Sequence, residues 1–372
     1  MTGARLPIVE IESLEDFDTK ITRTKSLHHW VVQSVDLSDR GAALKQVSVA
    51  GALFLGCLMP PQIEDDLTDR GALVFPPLPH LPFNPYRAGL YKANELYDAI
   101  AQGYAACLDG KVYGWYKSQG ATPPLPSGLA MSLHDQAIGD ALDDLLATLD
   151  SQRLVGVMGG HAALRGDHTY RLAAALGAEL SSHGFTVVTG GGPGAMEAAN
   201  LGAGLGASPG AIDDAIGRLA AVPDYRPDVS AWARVGLVVI ESLPAGMNLS
   251  IPTWFYGHEP PNVFATHIAK YFSNALREDA LLSRCRGGLV VLPGAAGTVQ
   301  EIFQCATRAY YTPGSDTPTP IVLLGRDHWT HCLPVWDLLR SLGEGRAMGR
   351  HIHLVDSPAD AVDILAVSST WC

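Results

Sequence analysis

The chain has 372 residues, 47% of them hydrophobic and 17% charged, with 39 glycines and 25 prolines. One compact core rarely grows that large, so either one large domain with a sizeable extension or two domains is expected. The formal net charge of −12 argues against a broad nucleic-acid surface. It leaves room for a small anion held by local backbone N–H groups and a few arginines.

The N-terminal stretch lacks a basic region followed by an apolar run, and no stretch of about 18 apolar residues follows anywhere. The expectation is a soluble, cytoplasmic protein without a membrane partner. The six cysteines (Cys57, Cys107, Cys285, Cys305, Cys332 and Cys372) are scattered, with no C-x-x-C pair. Reduced, packed thiols are expected, and no metal site.

Residues 1–150 read as an N-terminal α/β extension without internal repeats. Val47–Leu58 and Gly71–Phe75 have the apolar character of buried strands, and the proline-rich 76–87 cannot be helical. Helices are expected over 92–107 and 132–149. From residue 152 the pattern alternates. Strands are predicted at 154–158, 185–189, 235–240, 288–292, 321–324 and 351–355, and helices at 168–182, 195–205, 264–283, 298–309, 328–342 and 358–365. The polar, proline-containing stretch 207–231 reads as an insertion, either mobile or an oligomer contact. Apolar strands separated by long helices predict a Rossmann-like, doubly wound, mainly parallel sheet over 151–372 with helices on both faces. Ligands in such folds sit at the carboxyl ends of the strands.

Three loops there carry candidate chemistry. Gly156–Asp167 turns through Gly159-Gly160 and presents His161 and Arg165. Val187–Asn200 places Gly190, Gly191, Gly192 and Gly194 before a helix whose free N–H groups favour an anion. It also reads as G-x-G-x-x-A, but a dinucleotide fingerprint belongs on the first strand with an acid about 20 residues on. Leu289–Ala306 runs from a strand into Pro293-Gly294, then Gly297-Thr298 at a helix start. Thr298 and Glu301, three apart, share one helix face.

The motif P-G-x-x-G-T-x-x-E, with a G-G-G-x-G loop about 100 residues upstream, resembles the "lonely guy" family of cytokinin-activating phosphoribohydrolases. Members are often labelled lysine decarboxylases. GGH (159–161), TGGGPGAMEAAN and EPPN (259–262) are closer still to the pyrimidine/purine nucleotide 5′-monophosphate nucleosidases of that superfamily. The resemblance covers about 152–366. It implies hydrolysis of a nucleoside 5′-monophosphate to free base and ribose 5-phosphate, on AMP or a cytokinin ribotide among other substrates, without a cofactor and in a homodimer or larger assembly. It implies Glu301 and an arginine as the catalytic pair. Counting from EPPN selects Arg277; counting back from Pro293 leaves it one residue further out, which implies a one-residue insertion near 284–288, and Arg284 is the alternative. Gly190, Gly191, Gly192, Gly194, Gly294, Gly297 and Thr298 would hold the phosphate. Gly160, His161, Glu197 and Asn262 are candidates for base or ribose contacts. The motif's second glycine is Ala295 here.

Three other readings compete. A non-catalytic nucleotide- or molybdenum-cofactor-binding protein could use the same fold, as could a nicotinamide-dependent enzyme. A pyridoxal phosphate decarboxylase needs a Schiff-base lysine. From residue 118 onward the sole lysine is Lys270, inside a predicted helix.

Overall fold

The computed structural model describes residues 8–206, 209–241, 246–255, 259–313 and 316–368. The expectations for residues 1–7, for 207–208 at the head of the insertion and for Cys372 lie outside these. The chain forms two compact units. One is Met1–Gly89 with Ala121–Ala141, and the other is Leu90–Gly120 with Leu142–Cys372. The segment 90–120, N-terminal to the expected division near 150, therefore packs within the second unit.

The first unit is built on strands β1 (Val9–Ile11), β2 (Trp30–Gln33), β3 (Leu53–Leu55) and β4 (Leu73–Phe75), all parallel and paired in chain order. Ile11, Val32 and Phe54 stack across this sheet and are fully buried. Trp30 pairs with Val9, Leu53 with Val31 and Leu73 with Leu53. Each strand thus follows the last by about 20 residues, the spacing of a coiling repeat. No repeat is legible in the sequence itself. With three or four residues per strand and connections of different composition, only the buried position recurs.

The second unit holds strands β5 (Leu154–Met158), β6 (Thr186–Thr189), β7 (Asn248–Ser250), β8 (His267–Ile268), β9 (Gly288–Val291), β10 (Ile321–Leu324) and β11 (Ile352–Val355). They form one parallel sheet in the order β11-β10-β9-β5-β6-β7-β8. Every residue of β5, β9 and β10 is buried, and each fully buried Val or Leu there contributes about 1.5–3 kcal/mol. The expected doubly wound fold is observed. Helices His168–Ser182 and Ala195–Leu205 meet backbone to backbone. A Cβ on Gly177 would lie 2.1 Å from the Ala199 carbonyl oxygen, and one on Gly202 1.9 Å from that of Ala174.

Some elements differ from expectation. Residues 235–240 are not a strand but the end of a helix, Val229–Ile240. The β-branched run suggested a strand. Asp228 caps the helix by accepting from the Ala231 N–H, and Trp232, Ala233, Gly236 and Val239 recur at helical spacing on its buried face. The predicted helix 264–283 begins only at Asn274, where Ser273 caps it; β8 lies upstream. Helix 92–107 is a short turn, Ala93–Leu96, then two 3-10 turns separated by Gly103 at φ 102°. Helix 328–342 is a π-helical turn, then Val335–Gly343 after Pro334.

The strand order reverses between β5 and β9, so the loops after these strands and after β6 open on the switch-point crevice where this architecture binds ligands. They are the three loops singled out by sequence.

Candidate active site

The three loops are locked together by glycines and backbone bonds. After β5, the Gly160 N–H donates to the Pro293 carbonyl (3.0 Å), tying the first loop to the third. The Gly160 carbonyl accepts from Ala195 N–H (3.1 Å), tying it to the helix of the second. Gly194 sits at φ 73°, where a Cβ would lie 2.6 Å from the Gly160 oxygen and 2.7 Å from the His161 oxygen. Only glycine fits both the conformation and the contact.

The second loop is held from beneath by a buried amide network. Thr189 Oγ1 donates to Asn200 Oδ1 (2.7 Å) and accepts from Gly191 N–H (3.0 Å). Asn200 Nδ2 donates to Asn248 Oδ1 (2.9 Å), and Asn262 Nδ2 to Asn200 Oδ1 (2.9 Å). Asn262 N–H also donates to the Gly191 carbonyl (2.8 Å). Each buried amide is thereby satisfied, which fixes the backbone of the glycine loop. Asn262 was expected at the base or ribose. It is fully buried instead, and its side chain is spent on this network.

Glu197 was expected beside it and also turns inward. It is 1% exposed and pairs with Arg165 Nε at 3.0 Å. Arg165 in turn stacks over Trp232 (4.5 Å) and donates to the Trp232 carbonyl. Burial holds the Glu197 carboxyl above the usual range, against the pull of Arg165. Residue spacing alone does not say which way a helix-start side chain points.

Arg277 and Glu301 lie side by side. Arg277, in the first turns of Asn274–Arg284, donates from Nη1 to Glu301 Oε1 at 2.8 Å. Glu301 lies on Ala296–Tyr310, one turn beyond Thr298. Both side chains are largely buried, at 9% and 13% exposure. Burial pushes the Glu301 carboxyl up; Arg277 opposes this, and Glu278 and Glu259 add to it. The two helices are clasped by Glu278, which accepts from Asn274 Nδ2 (2.6 Å) and Gln300 Nε2 (2.9 Å). Arg277 Nε is buried without a hydrogen-bond partner. The alternative, Arg284, lies about 10 Å further along the helix and forms a two-pronged pair with Asp143 (2.7 and 3.1 Å). It does not reach Glu301.

Gly190 and Gly192 border the same crevice from the second loop. A Cβ on Gly190 would lie 3.7 Å from Arg277 Nη1, and one on Gly192 3.3 Å from Glu259 Oε2. Glu259 Oε1 in turn lies 3.2 Å from His161 Nδ1. Glu259 received no role from the sequence, although it heads the EPPN motif.

In the third loop, Gly294 packs on Thr298, its virtual Cβ only 2.1 Å from Thr298 Oγ1. Gly297 faces open space, and Ala295 to Gly297 are exposed. No side chain caps the helix that starts at Ala296. Its first N–H groups are therefore free to meet an anion. His328 Nε2 lies 3.0 Å from the Gly294 carbonyl oxygen, a neighbour that no motif signalled.

Two family models match the second unit. Residues 152–210 match the SLOG cluster4 family, and residues 248–365 the family described as possible lysine decarboxylase. These matches bear out the superfamily resemblance over those segments, which supports a nucleotide-related role. No curated protein matches the chain. Among solved structures, a molybdenum cofactor binding protein from Rippkaea orientalis is similar at 16% identity and a TM-score of 0.36, over 58% of this chain and 96% of that one. The molybdenum cofactor carrier protein from Chlamydomonas reinhardtii is similar at 18% identity and a TM-score of 0.35, over 58% and 95%.

The decarboxylase description does not fit the residues present. Lys270 follows β8 rather than lying in a helix, and it is 1% exposed. Its ammonium sits 2.6 Å from Asp109 and over the Trp254 ring (4.9 Å). Asp109 also accepts from Trp254 Nε1 (2.8 Å) and Tyr104 OH (2.6 Å). A lysine committed to that cluster is not placed to form a Schiff base.

Proposed function

We propose that the second unit hydrolyses the N-glycosidic bond of a nucleoside 5′-monophosphate, releasing free base and ribose 5-phosphate. The observation that carries this reading is the Arg277–Glu301 pair, 2.8 Å apart at the switch-point crevice and flanked by two glycine loops. Cleavage passes through an oxocarbenium-like ribosyl cation. The Glu301 carboxylate stabilises that charge and takes the proton of the attacking water. Its raised pKa makes it a stronger base than an ordinary carboxylate. Arg277 keeps it ionised and oriented, and its guanidinium supplies positive charge beside the phosphate or ribose. The free N–H groups at Ala296–Thr298 and the open face of Gly297 receive the 5′-phosphate. The resemblance also implies that the site works within a homodimer or larger assembly.

The test is a panel of AMP, GMP, CMP, UMP and a cytokinin ribotide assayed for ribose 5-phosphate. Release from at least one supports the reading, and release from none refutes it. A protein that only binds nucleotide or molybdenum cofactor would hold ligand without turnover.

A further inference from the structure

The Arg277–Glu301 pair supplies a base and a cation stabiliser but no acid for the departing nucleobase. A neutral base leaves poorly as an anion, so the electron pair of the breaking C1′–N bond needs a proton. The second glycine loop is bordered by a second titratable pair. His161 is the residue after Gly160, whose N–H is fixed on the third loop at Pro293. Its side chain is 46% exposed, and Nδ1 lies 3.2 Å from Glu259 Oε1. Glu259 in turn borders Gly192, while Arg277 borders Gly190. These glycines are two residues apart, at most about 7 Å between Cα atoms. The two pairs thus flank one short loop, on which Met196 also packs.

Resting on the nucleosidase reading above, we propose that His161 is the general acid for the leaving base and that Glu259 is its positioning residue. Glu259 at Nδ1 holds the ring in place, and Nε2 is the ring nitrogen left to carry the proton that the imidazolium form donates. In the step, water oxygen bonds to C1′ and the C1′–N bond breaks. Its electron pair takes the Nε2 proton of His161, and the water proton passes to Glu301. Glu301 then loses its proton to solvent and His161 regains one. The two carboxylates have separate duties: Glu301 acts on the sugar, and Glu259 acts through the histidine.

The experiment compares nucleotides whose base needs a proton with nucleotides whose base already carries a positive charge. 7-Methylguanosine 5′-monophosphate and nicotinamide mononucleotide are of the second kind and cover both ring sizes. With the best neutral-base nucleotide, His161→Asn and Glu259→Gln are each expected to lower kcat by about 10²–10⁴-fold with little change in KM. With a cationic-base nucleotide the loss should fall below about tenfold, since no proton is required. Equal loss on both kinds of substrate would overturn the proposal, because it would mark the pair as structural or as base-binding. No loss on either would overturn it too. Glu301→Gln should lose both kinds equally. Wild-type protein that cleaves neither kind would remove the nucleosidase reading itself, and the acid with it.

Discussion

Replacing Glu301 with glutamine tests the central pair with the least steric change. Glutamine keeps the length of the side chain and an oxygen that can still accept from Arg277 Nη1, now 2.8 Å from Glu301 Oε1. What disappears is the negative charge. A carboxylate about 4 Å from a developing ribosyl cation, at an effective dielectric near 20, is worth roughly 4 kcal/mol. That corresponds to about a thousandfold in kcat. Stability moves much less. The variant leaves the Arg277 guanidinium, 9% exposed, without a counter-charge. A fully buried broken pair costs about 3–5 kcal/mol. With both groups reaching the crevice and the amide oxygen still bonded, a loss of about 1–2 kcal/mol is expected, or about 2–6 °C in Tm. Ribose 5-phosphate release and thermal unfolding on the same preparation separate the two effects. A folded Glu301→Gln protein with activity within tenfold of wild type would refute the assignment of charge stabilisation to Glu301.

Arg277→Ala should lose activity at least a hundredfold, while Arg284→Ala, whose partner is the exposed Asp143, should stay within about threefold; the reverse order in a kinetic assay would reassign the arginine. Because burial raises the Glu301 pKa, its carboxylate forms only at higher pH than an ordinary one. The acid limb of kcat/KM should therefore lie above 4.5, and removing Arg277, which lowers that pKa, should move it higher still; a limb at or below 4.5 in a pH–rate profile would contradict this. Gly194→Ala forces a methyl group to 2.6 Å from a carbonyl oxygen at positive φ, and a loss of about 2–4 kcal/mol is expected in urea unfolding; unchanged stability would contradict the loop geometry. Lys270→Met should destabilise by about 3–5 kcal/mol by leaving Asp109 buried and unpaired; adding Asp109→Asn should recover about 1–3 kcal/mol, and strict additivity would show that the pair is not coupled.

The readable parts of the fold share a physical cause. β5, β6, β9 and β10 are apolar runs buried on both faces, bounded by glycine or proline, and their helices have regular amphipathic spacing. β7 and β8, at three and two residues, have too little sequence for a period to show. The run Val235–Ile240 has strand composition but lies in a helix, because the Asp228 cap and the burial of Trp232 and Val239 outweigh local propensity. At the site, the glycine loops and the Thr298–Glu301 spacing were legible because they depend on local backbone geometry. The choice between Arg277 and Arg284 needed the third dimension. So did the inward turn of Asn262 and Glu197, since their partners Asn200 and Arg165 are 62 and 32 residues away. Glu259 was visible as a motif letter, yet only its approach to His161 and Gly192 gives it chemistry.

The most direct measurement is turnover of a nucleoside 5′-monophosphate panel by the purified full chain, with base and ribose 5-phosphate quantified together. The account predicts equimolar release of the two from at least one nucleotide, lost in Glu301→Gln. Nucleotide binding without release of either product would contradict it and leave a binding protein built on the same loops.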